Sequence, residues 1–358
     1  MAVRVPGEIW IDHLFRWAVV IGISLLIVIY GRNFLIPLVV AFLIFTVVSG
    51  AISKVRNLQI GTFRLPYWLG ATLGLLTVSL GMFALYSILS AELLLVIAEW
   101  PTILERFQAL IETLSIWFGE DVTESILLAY GDFNVAAGLR GLIAPAGFAV
   151  TTIIVIALYV TFMFIESAHV PEKLEHLFPG RSDTPQIVEV SRQIVEAIHR
   201  YLLLKTLISA VTAALVYALL KAAGLEFAEI LALLTFFLNF IPNIGSITST
   251  VVPTLFAILQ FQEPGPVVLV GGGLTLIQFL VGQIFDPMIM GRTLNLSSFV
   301  IILSLTFWAT VWGIAGMFLA VPIMVMIMIV CSKLPSLRPV AIILSSDGNL
   351  DVDMETAT

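Results

Sequence analysis

A proline, an amide, a glycine and a hydroxyl lie together in the middle of a long apolar stretch of this chain. The segment Phe240 to Ser246 reads Phe-Ile-Pro-Asn-Ile-Gly-Ser within the apolar tract 228–261. Because proline lacks a backbone donor and glycine loses much entropy in a helix, this segment predicts a helix break. In hydrocarbon, the unpaired backbone groups of a break are costly unless they are buried in protein or line a wet cavity. The tract therefore cannot be an ordinary lipid-facing helix.

The composition places the whole chain in a membrane. Of its 358 residues, 59% are hydrophobic and only 11% are charged, whereas soluble proteins carry about 25% charged residues. We therefore predict an all-α fold, that of a polytopic helical membrane protein in contact with the lipid bilayer. The formal net charge of -7 does not indicate a basic surface for binding nucleic acid.

Residues that hold metals, cofactors or disulfides are scarce. The single cysteine, Cys331, excludes an intrachain disulfide and a cysteine-based metal cluster. The four histidines are dispersed along the chain, so we predict neither a metal site nor a cofactor. No serine, histidine and acid set suggests an active site, and we do not expect an enzyme.

The apolar segments divide the chain into five parts. Residues 1–90 hold three transmembrane spans, and 91–145 form an acidic, amphipathic helical insert outside the cytoplasm. Residues 146–205 contain a fourth span and a cytoplasmic helical linker, and 206–334 contain transport-type helices with two interrupted tracts. The tail, 335–358, is acidic and is expected to be loose.

Charge asymmetry predicts the orientation of these parts. With both termini cytoplasmic, 13 of the 17 lysines and arginines lie inside, in accord with the positive-inside rule. The insert then lies outside. We expect it to form one long helix, a shorter helical segment and a turn at 130–132, packed on the bundle or on a neighbouring subunit.

Two apolar tracts, 228–261 and 299–330, share the same kind of interruption. In the first, the 14 residues from 228 to 241 would form a helix of about 21 Å, whereas the hydrocarbon core is about 30 Å thick. Each arm is too short to cross upright, which makes re-entrant hairpins plausible. Interrupted segments in corresponding positions indicate an internal repeat, which is typical of a transport site. The residues expected to break the helices are Pro242, Gly245, Pro253, Gly313, Gly316 and Pro322.

The first break carries side chains suited to a small polar cargo. An amide or hydroxyl at the amino terminus of a half-helix can bind a polyol or an anion, together with free backbone donors. The alternative is that these side chains cap the broken helices. Two glutamines of a later span lie five residues apart, not quite on one face, and the first of them is the deeper. The candidate substrate-binding residues are Asn239, Asn243, Ser246, Thr248, Ser249, Gln278 and Gln283.

Asp286 is the carboxylate nearest the membrane interior in the carboxyl half. An ionisable group in a span is a functional candidate, because its burial is costly. Asp286 is therefore the candidate for coupling to a proton or a sodium ion. The alternative is a residue at a helix end, capped before Pro287 or paired with Arg292.

Several motifs of the carboxyl half resemble those of one family when taken together. They are Asn239-Phe-Ile-Pro-Asn-Ile-Gly-Ser246 followed by Pro253, Gln283-Ile-Phe-Asp-Pro287, Met290-Gly-Arg292 and Trp312-Gly-Ile-Ala-Gly-Met-Phe-Leu-Ala-Val-Pro322. These motifs, and the layout of the spans and the insert, are similar to those of the autoinducer-2 exporter (AI-2E) family of bacterial membrane transporters. The family usually has a histidine-proline pair where Asn295 to Phe299 stands here, so no role for that histidine carries over.

The resemblance implies a location and a mechanism. The chain is expected in the bacterial inner membrane, as a homo-oligomer such as a pentamer, moving cargo by an elevator-like displacement. The first functional hypothesis is export of a small polar metabolite such as the quorum-sensing signal autoinducer-2. A sodium or other cation/proton antiporter that uses Asp286 is the second hypothesis, and a non-transporting membrane scaffold or sensor is the third.

Overall fold

The computed structural model of the protein describes residues 6–57, 67–118, 146–167, 169–170, 173, 176, 184–261, 263–290, 295–334 and 336–348. Every named element in these ranges is a helix, and Leu296 and Ser345 form an isolated β-bridge. Five of the described helices are long and apolar enough to cross a membrane. The predicted all-α, polytopic helical membrane fold is confirmed.

The described helices divide between the two halves of the chain. Those of the amino half are α1 (Pro6–Tyr30), α2 (Arg32–Asn57), α3 (Tyr67–Ala98), α4 (Trp100–Phe118) and α5 (Ala146–Ser167). The carboxyl half contains α6 (Thr184–Ala222), α7 (Ala228–Leu238), α8 (Ile244–Gln260), α9 (Pro264–Phe279), a π-helical turn (Leu280–Phe285), α10 (Asp286–Met290), α11 (Ser298–Lys333) and α12 (Arg338–Leu344).

The main hydrophobic core lies between α2, α6 and α11. Ile198 and Leu202 of α6 are buried in the same cluster as Leu43 of α2 and Leu319 of α11. Other faces of the helices expose large apolar side chains, for example Phe83 of α3. Such faces suit lipid, because hydrocarbon does not penalise exposed apolar groups as water does.

Helices α7 and α8 form a first hairpin, 228–260. Their 11 and 17 residues correspond to lengths of about 17 and 26 Å, both shorter than a bilayer core of about 30 Å. The chain turns between them through residues 239–243. At the base, the Gln260 amide donates to the Gly224 carbonyl and accepts from the Glu226 N–H, both at 2.8 Å. The tract therefore ends beside the point where it began.

Helix α11 also folds back on itself. Gly313 has φ 64° and ψ -141°, a non-helical conformation that divides the helix into arms 298–312 and 314–333. The Ser304 hydroxyl donates to the Ala320 carbonyl at 3.4 Å, although these residues would be about 24 Å apart along one straight helix. The second interrupted tract is therefore a second hairpin.

The tips of the two hairpins meet in the core. Phe240, in the turn of the first hairpin, packs its ring on that of Phe318, just after the turn of the second, with centroids 4.7 Å apart. Trp308 and Trp312 are buried beside this contact, and the Trp312 indole donates to the Val28 carbonyl at 2.9 Å. Aromatic packing thus joins the two interrupted tracts where each reverses.

Two of the predicted helix-breaking prolines do not break a helix. Pro253 lies inside α8 and Pro322 inside the second arm of α11. A proline removes one intrahelical hydrogen bond, which bends a helix without ending it when its neighbours hold both sides. The reversals occur instead at Pro242 and Asn243 in the first hairpin and at Gly313 in the second.

The described part of the predicted insert packs on the bundle. Helix α4 contacts α8, and Arg106 of α4 donates to both carboxylate oxygens of Glu226 at 2.9 and 3.3 Å. The hydrogen bonds to Glu226 raise the pKa of the Arg106 guanidinium above its usual value. The shorter helical segment and the turn predicted at 130–132 lie outside the described residues.

The tail is not loose over its first part. Residues 338–344 form α12, which packs against α11 and buries Ala341. The Leu344 carbonyl accepts from the Ser297 N–H at 2.9 Å. Apolar residues Val340 to Leu344 explain this docking, because the acidic character of the tail begins only at Asp347.

Candidate functional site

A cavity of about 620 Å³ lies beside the tip of the first hairpin. It is enclosed by the hairpin turn and α8, by α6, by α9 with its π-helical turn, and by both arms of α11. The lining combines amides and hydroxyls with apolar side chains such as Ile241 and Val321. This mixture of an apolar wall and a few polar groups is typical of a small-molecule site.

The first hairpin supplies three of the predicted residues to the cavity, namely Asn239 and Asn243 from its turn and Ser246 from the start of α8. The Asn239 amide is buried and donates to the Ser209 hydroxyl of α6 at 3.1 Å. Asn243 has φ 62° and ψ -53°, a conformation outside the left-handed helical region, and the Ile244 N–H donates to the Pro242 carbonyl across it at 2.7 Å, as in a strained γ-turn. The broken helix thus brings its side chains to the cavity through a strained turn.

Two predicted candidates of α8 lie outside the cavity. Thr248 and Ser249 are not among its lining residues, whereas Ser246 and Thr250 are. The reason is helical phase, because the lining residues of α8 are Ser246, Ile247, Thr250 and Val251, which share one face, whereas 248 and 249 lie on the other side of the helix. Ser249 is buried away from the cavity.

The π-helical turn aligns the two glutamines. In an α-helix, Gln278 and Gln283 would point about 140° apart. A π-helical turn takes about one residue more to complete than an α-helical turn. Side chains five residues apart across it therefore point in directions that differ by only about 40°. Both glutamines line the cavity. The expectation that they lie on slightly different faces came from assuming regular α-helix.

Gln278 is the most unusual polar group of the site. Only 7% of the residue is exposed, and neither amide atom has a hydrogen-bond partner among the described residues. A buried amide without a partner is destabilising. Such a group in the wall of a cavity is suited to bind a molecule that enters it.

Asp286 also lines the cavity, but its partner is not the one considered from the sequence. The Lys205 ammonium lies 2.9 Å from Asp286 Oδ2, and their side chains are 7% and 23% exposed. Asp286 Oδ1 is buried without a partner among the described residues. Arg292, the alternative partner, lies outside the described residues.

Lys205 and Tyr201 are the titratable lining residues that sequence reasoning missed. Lys205 was assigned to the end of the cytoplasmic linker, but it lies inside the continuous helix α6 and is buried. The available signal was a single lysine in an otherwise uncharged run, Tyr201 to Ala213. Within the described residues, no group of three histidine, cysteine or acidic side chains could hold a metal ion.

Comparison with known proteins identifies the family. The model of the AI-2E family transporter matches residues 17–336. This chain belongs to the AI-2E transporter family. The resemblance found in the motifs is therefore confirmed.

Relatives in bacteria support the same assignment. The AI-2 transport protein TqsA of Escherichia coli is 29% identical over 337 residues, which are 91% of this chain and 95% of that protein. A putative transport protein of Haemophilus influenzae is 28% identical over 335 residues, 90% of this chain and 94% of that protein. The putative transport protein YhhT of Escherichia coli is 34% identical over 176 residues, 49% of each chain. These three relatives are all described as transport proteins.

Proposed function

We propose that this chain exports a small polar metabolite, such as autoinducer-2, across the bacterial inner membrane. The observation that carries the proposal is the cavity of about 620 Å³ at the first hairpin tip, a size within the usual range for small-molecule sites. The Gln278 amide, which has no partner among the described residues, and the asparagines at the hairpin tip can both donate and accept hydrogen bonds. Autoinducer-2 as the example follows the relative TqsA, which is described as an AI-2 transport protein, and export as the direction is what the resemblance of the motifs implies.

The charge of the cavity favours a cargo without net charge. Lys205 and Asp286 are the basic and the acidic side chain in the lining, and they form an ion pair with Lys205 Nζ 2.9 Å from Asp286 Oδ2. An anion or a cation would have to compete with this pair, whereas a neutral polar molecule only needs the amides and hydroxyls. Hydrogen bonds of that kind also give specificity, because a cargo that lacks the matching groups leaves buried amides unpaired.

An elevator-like displacement within a homo-oligomer, such as a pentamer, is the mechanism we propose. Its support is the architecture of the carboxyl half, where two hairpins whose tips meet, together with α9, enclose the cavity. A movement of these elements as a unit against the remaining spans would carry the cavity across the bilayer. We place both termini in the cytoplasm and helix α4 outside, following the charge asymmetry.

The test is flux through the purified protein in proteoliposomes. Vesicles loaded with autoinducer-2, with small sugars and polyols, or with monocarboxylates would be compared with protein-free vesicles. We expect saturable efflux of uncharged hydroxylated molecules and little flux of carboxylates. Flux of carboxylates alone would contradict the assignment of the cavity.

A cation/proton antiporter is the second candidate function, and Asp286 favours it. Its Oδ1 atom is unpartnered within the described residues and the residue lines the cavity, as a coupling carboxylate would. In the same proteoliposomes, an imposed sodium gradient should then move protons without any organic cargo. A pH-sensitive dye trapped in the vesicles measures this directly.

A further inference from the structure

The ammonium group of Lys205 occupies the position that a bound cation would take on Asp286. Lys205 Nζ lies 2.9 Å from Asp286 Oδ2, and the lysine side chain is 7% exposed. A buried carboxylate needs a counter-charge, because without one the charged form is strongly disfavoured. In many transport sites a mobile cation would supply that charge, but here a side chain supplies it.

The two residues come from different elements. Lys205 lies on the long helix α6, and Asp286 begins α10, directly after the π-helical turn. They are separated by 81 positions in sequence, so the pair exists only because α6 and α10 pack together. The titratable residue beside them in the cavity wall is Tyr201, one helical turn before Lys205.

The carboxylate keeps capacity for a further ligand. Asp286 Oδ1 is buried and has no partner among the described residues, whereas Oδ2 is held by Lys205. If the ammonium were removed, both oxygens would be left in a buried site that opens into the cavity. A small hard cation such as sodium prefers oxygen ligands of this kind, as other hard cations do.

We propose that Lys205 is a tethered counter-ion for Asp286 and makes the cavity independent of sodium. The wild-type site then needs no bound cation in order to receive cargo. Replacing Lys205 with a neutral residue exposes the carboxylate and converts the site into one that binds sodium. The inference rests on the proposed function only for the role of the cavity, and its test needs no knowledge of the cargo.

The experiment measures binding of radioactive sodium to the purified full-length protein in lipid nanodiscs. Three proteins are compared, namely wild type, Lys205→Met, and Lys205→Met combined with Asp286→Asn. We expect saturable binding of about one sodium ion per chain to Lys205→Met alone. The double variant is the matched control, because it lacks the ammonium but also lacks the carboxylate charge.

Thermal unfolding in sodium and in equal potassium gives a second readout. Sodium should raise the unfolding temperature of Lys205→Met by about 2 °C or more relative to potassium, with no difference for wild type or the double variant. A merely structural role for Lys205 would lower the unfolding temperature equally in both salts. If Lys205→Met does not accumulate, Lys205→Gln replaces it, because its amide donates to Asp286 without carrying charge.

Two results would overturn the proposal. One is saturable, Asp286-dependent sodium binding by wild type, which would mean that the lysine does not take the place of a cation. The other is a folded Lys205→Met or Lys205→Gln variant that binds no sodium. Both results concern sodium alone, so they are distinguishable from a failure to find autoinducer-2 flux.

Discussion

Gly245 lies directly against the carbonyl oxygen of Leu238, the last residue of the first arm of its hairpin. A Cβ atom at Gly245 would be 1.9 Å from that oxygen, far inside any allowed contact. Gly316 has the same relationship to the Trp308 carbonyl, at 2.0 Å. Both hairpins therefore close through a glycine in the first turn of the second arm.

The first prediction is that Gly245→Ala prevents normal closure of the first hairpin. Overpacking against backbone costs about 1–3 kcal/mol, and moving the arms apart would also move Asn243 and Ser246. We expect a lower unfolding temperature and a loss of transport of at least about tenfold. Gly272→Ala is the matched control, because a Cβ there meets no atom within 4 Å. Normal transport by Gly245→Ala would show that hairpin closure is not required.

The second prediction separates the backbone of Asn243 from its side chain. Since Asn243 has φ 62°, Asn243→Gly keeps the turn unstrained, whereas Asn243→Ala adds strain of about 1 kcal/mol or more. If the side chain binds cargo, both variants should weaken apparent affinity, up to about tenfold. The measurement is flux against cargo concentration at matched protein level. Normal affinity in Asn243→Gly would assign the residue to the turn alone.

The third prediction concerns the unpartnered amide of Gln278. Gln278→Met removes a buried polar group that has no described partner, so stability should be unchanged or rise by up to about 1 kcal/mol. Transport should nevertheless fall, because the cavity loses a hydrogen-bonding group. Thermal unfolding tests the expected stability, and flux measured on the same preparation tests the expected loss of transport. A destabilised Gln278→Met would indicate a structural role for the amide.

The fourth prediction uses two glycines near one another in sequence. A Cβ at Gly282 or at Gly272 would meet no atom within 4 Å, but only Gly282 lines the cavity. Gly282→Leu should fill cavity volume and block cargo, whereas Gly272→Leu should transport normally. Equal flux through both variants would place the cargo path elsewhere.

The fifth prediction is that the carboxyl-terminal region lies in the cytoplasm. Ser346 is exposed and its hydroxyl donates to Asn295 at 2.6 Å, so it reports the side of the loop before α11. In a Cys331→Ser background, Ser346→Cys should resist an impermeant thiol reagent in intact cells. Glu263→Cys, in the exposed turn before α9, should label readily. Labelling of Ser346→Cys in intact cells would show that the carboxyl-terminal region lies outside the cytoplasm and would contradict the prediction.

The interruptions were predictable from sequence because their causes are local. Proline and glycine act on the backbone at their own positions, so Pro242 and Gly313 marked the reversals. The exact lining of the cavity depended on helical phase, which decides between Ser246 and Ser249 only once the start of α8 is known. Boundary errors of one residue are enough to rotate a side chain out of a site.

The Lys205–Asp286 pair could not be predicted in the same way. Each residue has an ordinary local explanation, because Lys205 follows a basic linker and Asp286 lies directly before a proline. Their contact depends on the packing of α6 against α10. The π-helical turn is similarly hidden, because in a span that is apolar on almost all sides the sequence does not reveal the change in helical phase that one extra residue causes.

The stacking of Phe240 on Phe318 has an electrical consequence. The cavity is lined by Ile241, the residue after Phe240, so with water in the cavity the low-dielectric layer at these rings would be thinner than a full bilayer core, and part of the transmembrane voltage would fall across it. Moving one elementary charge through that layer would require about 2.3 kcal/mol per 100 mV. Cargo without net charge would pass unaffected by the voltage, and stray ions would be held back by the same rings.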